Sequence, residues 1–193
     1  MGKDVTNILV CGVGGQGVIL ASGVMADTFL KAGYDVKQGE VHGMAQRGGS
    51  VVSHIKFGQK VYSPLIKMGE ADYLFATEKL EALRWIEYCT SSTVIIADTI
   101  QINPPAVNRG EMEYPADVED FLKGNFEKVY LIPATEIAKE LGNARAANVV
   151  LLGAFSTFMP VEEAVWKEAL LERLPKKLHE LNLQAFEKGR LAV

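Results

Sequence analysis

Two glycine-rich segments stand out in the sequence, and the first has a spacing that suits anion binding. Gly12-Val13-Gly14-Gly15-Gln16-Gly17 contains the pattern G-x-G-x-x-G and directly follows the apolar run Asn7-Ile8-Leu9-Val10-Cys11. Glycines permit a tight turn and a close approach to a phosphate, and a helix that begins there presents free N–H groups. The segment therefore predicts an anion or nucleotide site. The alternative is that the glycines only let the first helix pack closely on the sheet.

The second segment is Glu40-Val41-His42-Gly43-Met44-Ala45-Gln46-Arg47-Gly48-Gly49-Ser50. Arg47 offers a planar fork of donors beside the backbone N–H groups of two glycines, an arrangement that suits a phosphate or a carboxylate. Glycine-rich loops of this length are uncommon without a use, so we expect contact with a ligand or a partner; the alternative is a solvated or ion-paired arginine. His42 could carry a proton, but no Ser, Cys or Asp stands at the spacing of a triad, so a hydrogen-bonded loop histidine is favoured. No catalytic or metal-binding residue is predicted.

A dinucleotide site requires a further acidic residue, which this sequence places imperfectly. In a Rossmann site, an acidic side chain about 20 positions after the glycines binds the ribose at the end of the second strand. Here that strand ends Asp35-Val36-Lys37-Gln38, with Glu40 just beyond it. A predicted hairpin also replaces the helix that normally follows. Binding of NAD is therefore disfavoured.

The elements that position these segments alternate between strands and helices. A helix is expected from Gly17 to Lys31, with Gly33 at its C-terminal cap, and a second helical stretch contains Leu80, Leu83 and Ile86. Short apolar runs predict strands at residues 7–11, 34–38, 72–76, 93–97 and 129–132. This alternation favours an α/β sheet that is mostly parallel.

Two departures from a simple parallel sheet are predicted. Residues 50–57 alternate in polarity, and Gly58-Gln59 can turn the chain into Lys60-Val61-Tyr62, which predicts a β-hairpin. Asn143 is expected to cap a helix over residues 144–158, with Pro160 in the first turn of the next. We therefore expect one domain over residues 1–193: a three-layer, Rossmann-like mixed sheet with a hairpin insertion and C-terminal helices over about 144–190.

Composition excludes several function classes. The sequence has 20 Lys plus Arg against 24 Asp plus Glu, a net charge of −4, and no basic cluster, so nucleic acid is not an expected partner. Two cysteines cannot supply a four-thiolate iron–sulfur site. No secretory leader pattern is visible, and the apolar stretch at residues 146–159 is too short to cross a bilayer. We expect a cytoplasmic protein that is not bound to a membrane.

Taken together, the two glycine-rich segments resemble the gamma component of the 2-oxoacid:ferredoxin oxidoreductases. The resemblance continues through Tyr62-Ser63-Pro64-Leu65-Ile66 and Asn148-Val149-Val150-Leu151-Leu152-Gly153 and covers the chain to about residue 158. His42-Gly43-Met44-Ala45-Gln46-Arg47-Gly48-Gly49-Ser50 is most similar to the indolepyruvate branch, the beta subunit of indolepyruvate:ferredoxin oxidoreductase. Gamma subunits of the pyruvate, 2-oxoisovalerate and 2-oxoglutarate enzymes are the alternative.

The resemblance implies a hetero-oligomeric, oxygen-sensitive enzyme. It converts an aryl 2-oxoacid to its acyl-CoA and passes electrons to ferredoxin, with thiamine diphosphate and iron–sulfur clusters held by a larger alpha subunit. This chain is expected to bind no cofactor firmly and to be inactive alone. Coenzyme A is a candidate ligand at the glycine-rich crevice. The candidate binding residues are Gly12, Gly14, Gly15, Gln16, Gly17, Arg47, Gly48, Gly49 and Ser50.

Two other functions are compatible with the residues alone. One is a free-standing NAD(P)- or flavin-dependent reductase built on the glycine turn, which would bind a dinucleotide without a partner. The other is a scaffold whose glycine loop binds protein rather than a ligand.

Overall fold

The protein forms a six-stranded mixed sheet in the order β2-β3-β1-β4-β5-β6. The structure, a computed structural model, describes residues 5–41 and 48–193, with residue 41 described by its backbone alone. β1, β4, β5 and β6 are parallel neighbours, whereas β3 pairs antiparallel with both β1 and β2. The strands are β1 Val5–Val13, β2 Asp35–Val41, β3 Ser50–Gly58, β4 Tyr73–Ala76, β5 Val94–Asp98 and β6 Lys128–Ile132.

Helices cover both faces of the sheet and form the C-terminal third of the chain. The α-helices are α1 Val18–Lys31, α2 Lys79–Arg84, α3 Pro105–Asn108, α4 Val118–Asn125, α5 Ala134–Glu140, α6 Ala147–Ser156, α7 Glu163–Glu172 and α8 His179–Arg190. α1 and α6 pack on one face, with α5, α7 and α8 behind them, and α2 and α4 pack on the other. The predicted three-layer α/β fold is confirmed.

The central strands are buried on both faces because their apolar residues are continuous. In β1, Ile8 and Val10 belong to the core beneath α1 and α6, whereas Leu9 and Cys11 belong to the core beneath α2 and α4. All four side chains are fully buried. An uninterrupted apolar run has this effect because successive side chains point to opposite faces of a sheet.

The first helix ends as its sequence predicts. Gly33 has φ 88°, a left-handed conformation that favours glycine. The N–H of Tyr34 donates to the carbonyl of Phe29, and the N–H of Gly33 donates to that of Leu30, each at 3.0 Å. This pair of bonds is a Schellman motif, which terminates α1 and directs the chain into β2.

The predicted hairpin is wrong in its second strand. Residues 60–62 form no strand; β3 instead lies between β1 and β2, with Ser50 opposite Val13 and Gly58 opposite Val5. The N–H of Val61 donates to Oδ2 of Asp35 at 2.8 Å, so a carboxylate takes the place of a strand partner. The antiparallel pairing is therefore real, but β3 makes it with strands that precede it in the chain.

The C-terminal helices begin and end differently from their predicted bounds. Oδ1 of Asn143 accepts a hydrogen bond from the N–H of Arg145 at 3.1 Å, but it caps a 3-10 turn, and α6 begins only at Ala147 and ends at Ser156. Pro160 lies before α7 rather than in its first turn, because that helix begins at Glu163. Among the helices in the described parts of the chain, none combines the length and apolar character needed to span a membrane.

Candidate functional site

The two glycine-rich segments meet through backbone hydrogen bonds. The N–H of Gly14 donates to the carbonyl of Gly49 at 2.8 Å, and the N–H of Gly48 donates to the carbonyl of Gly14 at 3.3 Å. The end of β1 and the start of β3 are neighbours in the sheet, which explains why these loops meet. The backbone of Gly14 therefore binds the second segment.

The side chain of Gln16 holds the turn against the end of β4. Its Oε1 accepts from the N–H of Val13 at 2.8 Å and from Oγ1 of Thr77 at 2.9 Å, while its Nε2 donates to the carbonyl of Thr77 at 2.8 Å. These bonds engage both the oxygen and the nitrogen of the side-chain amide. In this structure Gln16 supports the shape of the turn.

Gly12 permits the close approach of β1 and the loop after β4. A Cβ atom at this position would overlap Oγ1 of Thr77 and also crowd a methyl group of Val18. No larger residue fits without moving these side chains. The packing explanation for a glycine in this motif therefore holds at Gly12.

A cleft of about 400 Å³ opens beside the glycine turn, and we call it the turn cleft. It lies past the C-terminal ends of β1, β4 and β5, where sheets of this kind bind ligands. Gly15 faces open space with φ 103°, and the N-terminus of α1 has neither a side-chain cap nor an acidic residue in its first turn. The turn cleft is lined by Gly15, Gln16, Gly17, Leu20, Thr77, Asp98, Ile100, Ile102, Thr135, Ala144, Arg145, Ala147, Asn148 and Leu151.

Asn148 joins α6 to the turn at one wall of this cleft. Its side chain is buried, and Nδ2 donates to the carbonyl of Gly17 at 3.1 Å. Gly17 has φ 80°, and a Cβ atom there would overlap Nδ2 of Asn148. Oδ1 of Asn148 is buried and has no hydrogen-bond partner among the described residues. Asn148 therefore ties its helix to the glycine turn through Nδ2.

Asp98 closes the opposite wall at the end of β5. Its carboxylate accepts from Oγ1 of Thr135 at 2.5 Å, from the N–H of Thr135 at 3.1 Å and from the N–H of Ile100 at 3.2 Å. Burial raises the pKa of the Asp98 carboxyl, and these hydrogen bonds oppose that shift. They also fix the start of α5 at the rim of the cleft.

Gly48, Gly49 and Ser50 line a second cleft of about 280 Å³, which we call the loop cleft. Ser50 Oγ donates to Oε2 of Glu81 and accepts from Nε1 of Trp85 at 3.2 Å. Burial raises the pKa of the Glu81 carboxyl, while its bond with Ser50 acts in the opposite direction. This cluster anchors the start of β3 to α2.

The predicted binding residues therefore divide between two adjacent clefts. Gly15, Gln16 and Gly17 line the turn cleft, and Gly48 to Ser50 line the loop cleft, while Gly12 and Gly14 make the internal contacts described above. Arg47 and His42 lie outside the described residues. Whether any ligand uses these positions stays a prediction.

The polar residues of the clefts that the sequence motifs did not predict include Thr77, Asp98, Glu81 and Arg145. Thr77 and Asp98 stand at the C-terminal ends of two predicted strands, and this position could have identified them, because ligand sites of α/β sheets gather there. Glu81 and Arg145 carry no comparable signal, since the strand order and helix packing bring them to the clefts. Within the described part of the chain, no group of three or more His, Cys, Asp and Glu side chains could hold a metal ion.

Comparisons with known proteins agree with this architecture. The solved gamma subunit of a keto/oxoacid ferredoxin oxidoreductase from Geobacter sulfurreducens superposes with a TM-score of 0.72 at 25% identity, and the match covers 97% of each chain. The sheet, its flanking helices and the C-terminal helix are therefore those of this class of subunit.

Sequence comparisons identify the family. The chain is 40% identical to indolepyruvate oxidoreductase subunit IorB of Archaeoglobus fulgidus, covering 95% of this chain and 92% of the relative. It is 37% identical to the subunit of that name in Thermococcus kodakarensis, with 95% and 93% coverage, and 29% identical to 2-oxoglutarate synthase subunit KorC of Methanothermobacter thermautotrophicus, with 95% and 92% coverage. A family model described as pyruvate ferredoxin/flavodoxin oxidoreductase matches residues 7–192. The chain belongs to the pyruvate ferredoxin/flavodoxin oxidoreductase family.

Proposed function

We propose that this chain is the subunit of an indolepyruvate:ferredoxin oxidoreductase that does not bind thiamine diphosphate. The enzyme oxidatively decarboxylates an aryl 2-oxoacid, forms its acyl-CoA and passes the electrons to ferredoxin. The 40% identity to an IorB subunit over nearly the whole chain carries this proposal. With only two cysteines, the sequence cannot supply a four-thiolate cluster, so the redox centres belong to a larger alpha subunit.

A partner subunit is supported by apolar side chains on the surface. Tyr62, Leu65 and Met68 are 88%, 58% and 64% exposed, and all three belong to one segment of seven residues. Clustered apolar groups on a surface are typical of protein contacts. The segment that carries them follows β3 and runs back along it: Nζ of Lys56 donates to the carbonyl of Leu65, and the N–H of Ile66 donates to Nδ1 of His54, each at 3.2 Å.

Coenzyme A is the ligand that we propose for the turn cleft. The uncapped N-terminus of α1 suits its phosphate groups, and Gly15 leaves room for a ligand to approach the backbone. Gly15 and Gly17 are better placed for such contact than Gly12 and Gly14, which pack against Thr77 and bind the second segment.

The identity to the KorC subunit favours one alternative, a subunit of a 2-oxoglutarate oxidoreductase. A substrate panel separates the two. The complex of this chain with its larger subunit would be assayed anaerobically with coenzyme A and a viologen acceptor. We expect kcat/KM for indolepyruvate to exceed those for 2-oxoglutarate, pyruvate and 2-oxoisovalerate by at least about tenfold. A higher kcat/KM for 2-oxoglutarate would establish the alternative.

A further inference from the structure

The wall of the turn cleft includes a buried side-chain acceptor that no described residue engages. The positive end of a helix dipole and an arginine side chain border the same cleft. Asn148 is 3% exposed, and its buried Oδ1 has no hydrogen-bond partner in residues 5–41 and 48–193. Other side-chain acceptors of the cleft are already engaged: Gln16 by Val13 and Thr77, and Asp98 by Thr135 and Ile100. A buried acceptor without a partner costs free energy, which a ligand that donates a hydrogen bond to it would recover.

The positive charge comes from the helix and from an arginine. α1 is 14 residues long, and the N–H groups of its first turn have no partner within the helix. Gly17, at its N-cap, provides no side-chain hydrogen bond, and no acidic residue in the first turn offsets the dipole. Arg145 lines the same cleft, is exposed, and makes no ion pair with any residue that the structure describes.

These two features set the chemistry of the ligand. An anionic group suits the N-terminus of α1 and Arg145, and a hydroxyl or amino group must reach Oδ1 of Asn148. Inorganic phosphate bound between the helix and Arg145 satisfies the first requirement but brings no second group to Oδ1. The cleft volume of about 400 Å³ falls within the range of small-molecule sites.

We propose that the turn cleft binds a ribonucleoside phosphate, with its phosphate between the N-terminus of α1 and Arg145 and a ribose hydroxyl or base amino group donating to Oδ1 of Asn148. The nucleotide half of coenzyme A and a free nucleotide share this chemistry. Assignment of the ligand to coenzyme A rests on the proposed function, whereas the nucleotide site itself rests on the contacts in the cleft.

The test measures ADP, coenzyme A and inorganic phosphate binding by calorimetry on the assembled complex. Asn148→Leu keeps the size of the side chain and removes the Oδ1 acceptor together with the Nδ2 donor to Gly17. We expect this substitution to weaken ADP binding about tenfold, the effect of losing one hydrogen bond. Phosphate should compete with ADP with an unchanged inhibition constant. Asn182→Leu is the matched control, because Asn182 is also buried and donates to a helix carbonyl, that of Leu178 at 2.8 Å, away from the cleft.

Arg145→Ala provides a second variant that does not disturb packing, since this side chain is exposed. It should weaken binding of both ADP and phosphate about fivefold and should reduce the salt dependence of ADP binding. If Asn148→Leu fails to assemble, the Arg145→Ala result decides the proposal. Absence of ADP and coenzyme A binding to the wild-type complex, or unchanged ADP affinity in the decisive variant, would overturn it.

Competition identifies the source of the nucleotide. If ADP and coenzyme A exclude each other and Asn148→Leu raises the KM for coenzyme A, the site holds the coenzyme. If ADP binds independently and the KM is unchanged, the site holds a free nucleotide. Both results support the nucleotide site, and oxoacid turnover measured in parallel shows separately whether the proposed function holds.

Discussion

The glycines of the turn are required for different physical reasons. Gly12 allows β1 to approach Thr77, and Gly14 forms the backbone bonds that join the two glycine-rich segments. Gly15 and Gly17 adopt positive φ angles, which ordinary residues rarely do. A motif that resembles a phosphate cradle is therefore only partly available to a ligand, and the structure separates the packing positions from the open ones.

Glu81 makes the folded state sensitive to pH. Burial raises the pKa of the Glu81 carboxyl above its ordinary value of 4.5. As pH rises above 4.5, the unfolded chain loses this proton before the folded chain does, so the free energy of unfolding falls until the pH exceeds the raised pKa. Glu81→Gln cannot ionise. The free energy of unfolding of this variant relative to wild type should therefore increase across that window, by about 1.4 kcal/mol for each unit by which the pKa is raised.

Urea unfolding at a series of pH values from about 4 to 8 checks this prediction. Other titrating groups, including Asp98, are present in both proteins, so their contributions cancel when the free energy of unfolding of wild type is subtracted from that of the variant. Glu87→Gln controls for the change in net charge, because this neighbouring side chain is exposed. A difference between Glu81→Gln and wild type that stays constant with pH would show that the carboxyl is not held in an unfavourable environment.

Residue types predicted which loops form the clefts but not how each side chain is used. The sequence placed Gly15 and Gly17 in a turn between a strand and a helix, because glycine spacing and apolar periodicity are local signals. The internal bonds of Gln16 with Thr77 join residues 61 positions apart, and those of Ser50 with Glu81 join residues 31 positions apart. Such pairings depend on strand order, which a single sequence does not specify.

Among the elements, α6 and α8 make an unusually close contact. A Cβ atom at Gly153 would overlap the backbone oxygen of Phe186, and one at Gly189 would overlap that of Val150. Each glycine lies against the backbone of the facing helix. The two helices can approach this closely only because both positions lack side chains.

Gly189→Ala should therefore destabilise the protein. The added methyl group meets backbone, which cannot rotate away, so we expect a loss of about 3 kcal/mol, at the upper end for overpacked cores. Gly124→Ala is the control: it lies in helix α4 with nothing within 4 Å of its Cβ position. Because alanine favours helix, this control should gain about 0.5–1 kcal/mol. Thermal unfolding of the two variants measures both effects, and equal stability would contradict the close packing.

Element types were largely predictable, whereas boundaries and pairing were not. The strands of the central sheet were found because continuous apolar runs identify strands buried on both faces. The predicted second strand of the hairpin, residues 60–62, was wrong. Alternating polarity and a Gly58-Gln59 turn are local signals, and they do not predict that β3 pairs with the distant strand β1. Asn143 marked a true cap, but a 3-10 turn precedes the helix, which sequence periodicity does not distinguish from its first turn.

At the scale of the whole molecule, the chain combines two clefts at one end of the sheet with an exposed apolar segment that runs along β3. The clefts are lined by glycines, three arginines and two buried carboxylates, and the carboxylates hold loops in place. Tyr62, Leu65 and Met68 are exposed outside these clefts, and we propose that a partner subunit covers them. This arrangement fits a subunit that supports catalysis carried out by groups on another chain, as the family membership indicates.

Reconstitution tests this central claim most directly. The chain and its larger subunit would be purified separately without oxygen, and viologen reduction by indolepyruvate and coenzyme A would be followed as the chain is added to a fixed amount of the larger subunit. We predict no turnover by the chain alone and activity that rises to saturation at a fixed stoichiometry. Reduction of viologen by the chain alone, or full activity of the larger subunit without it, would contradict the account.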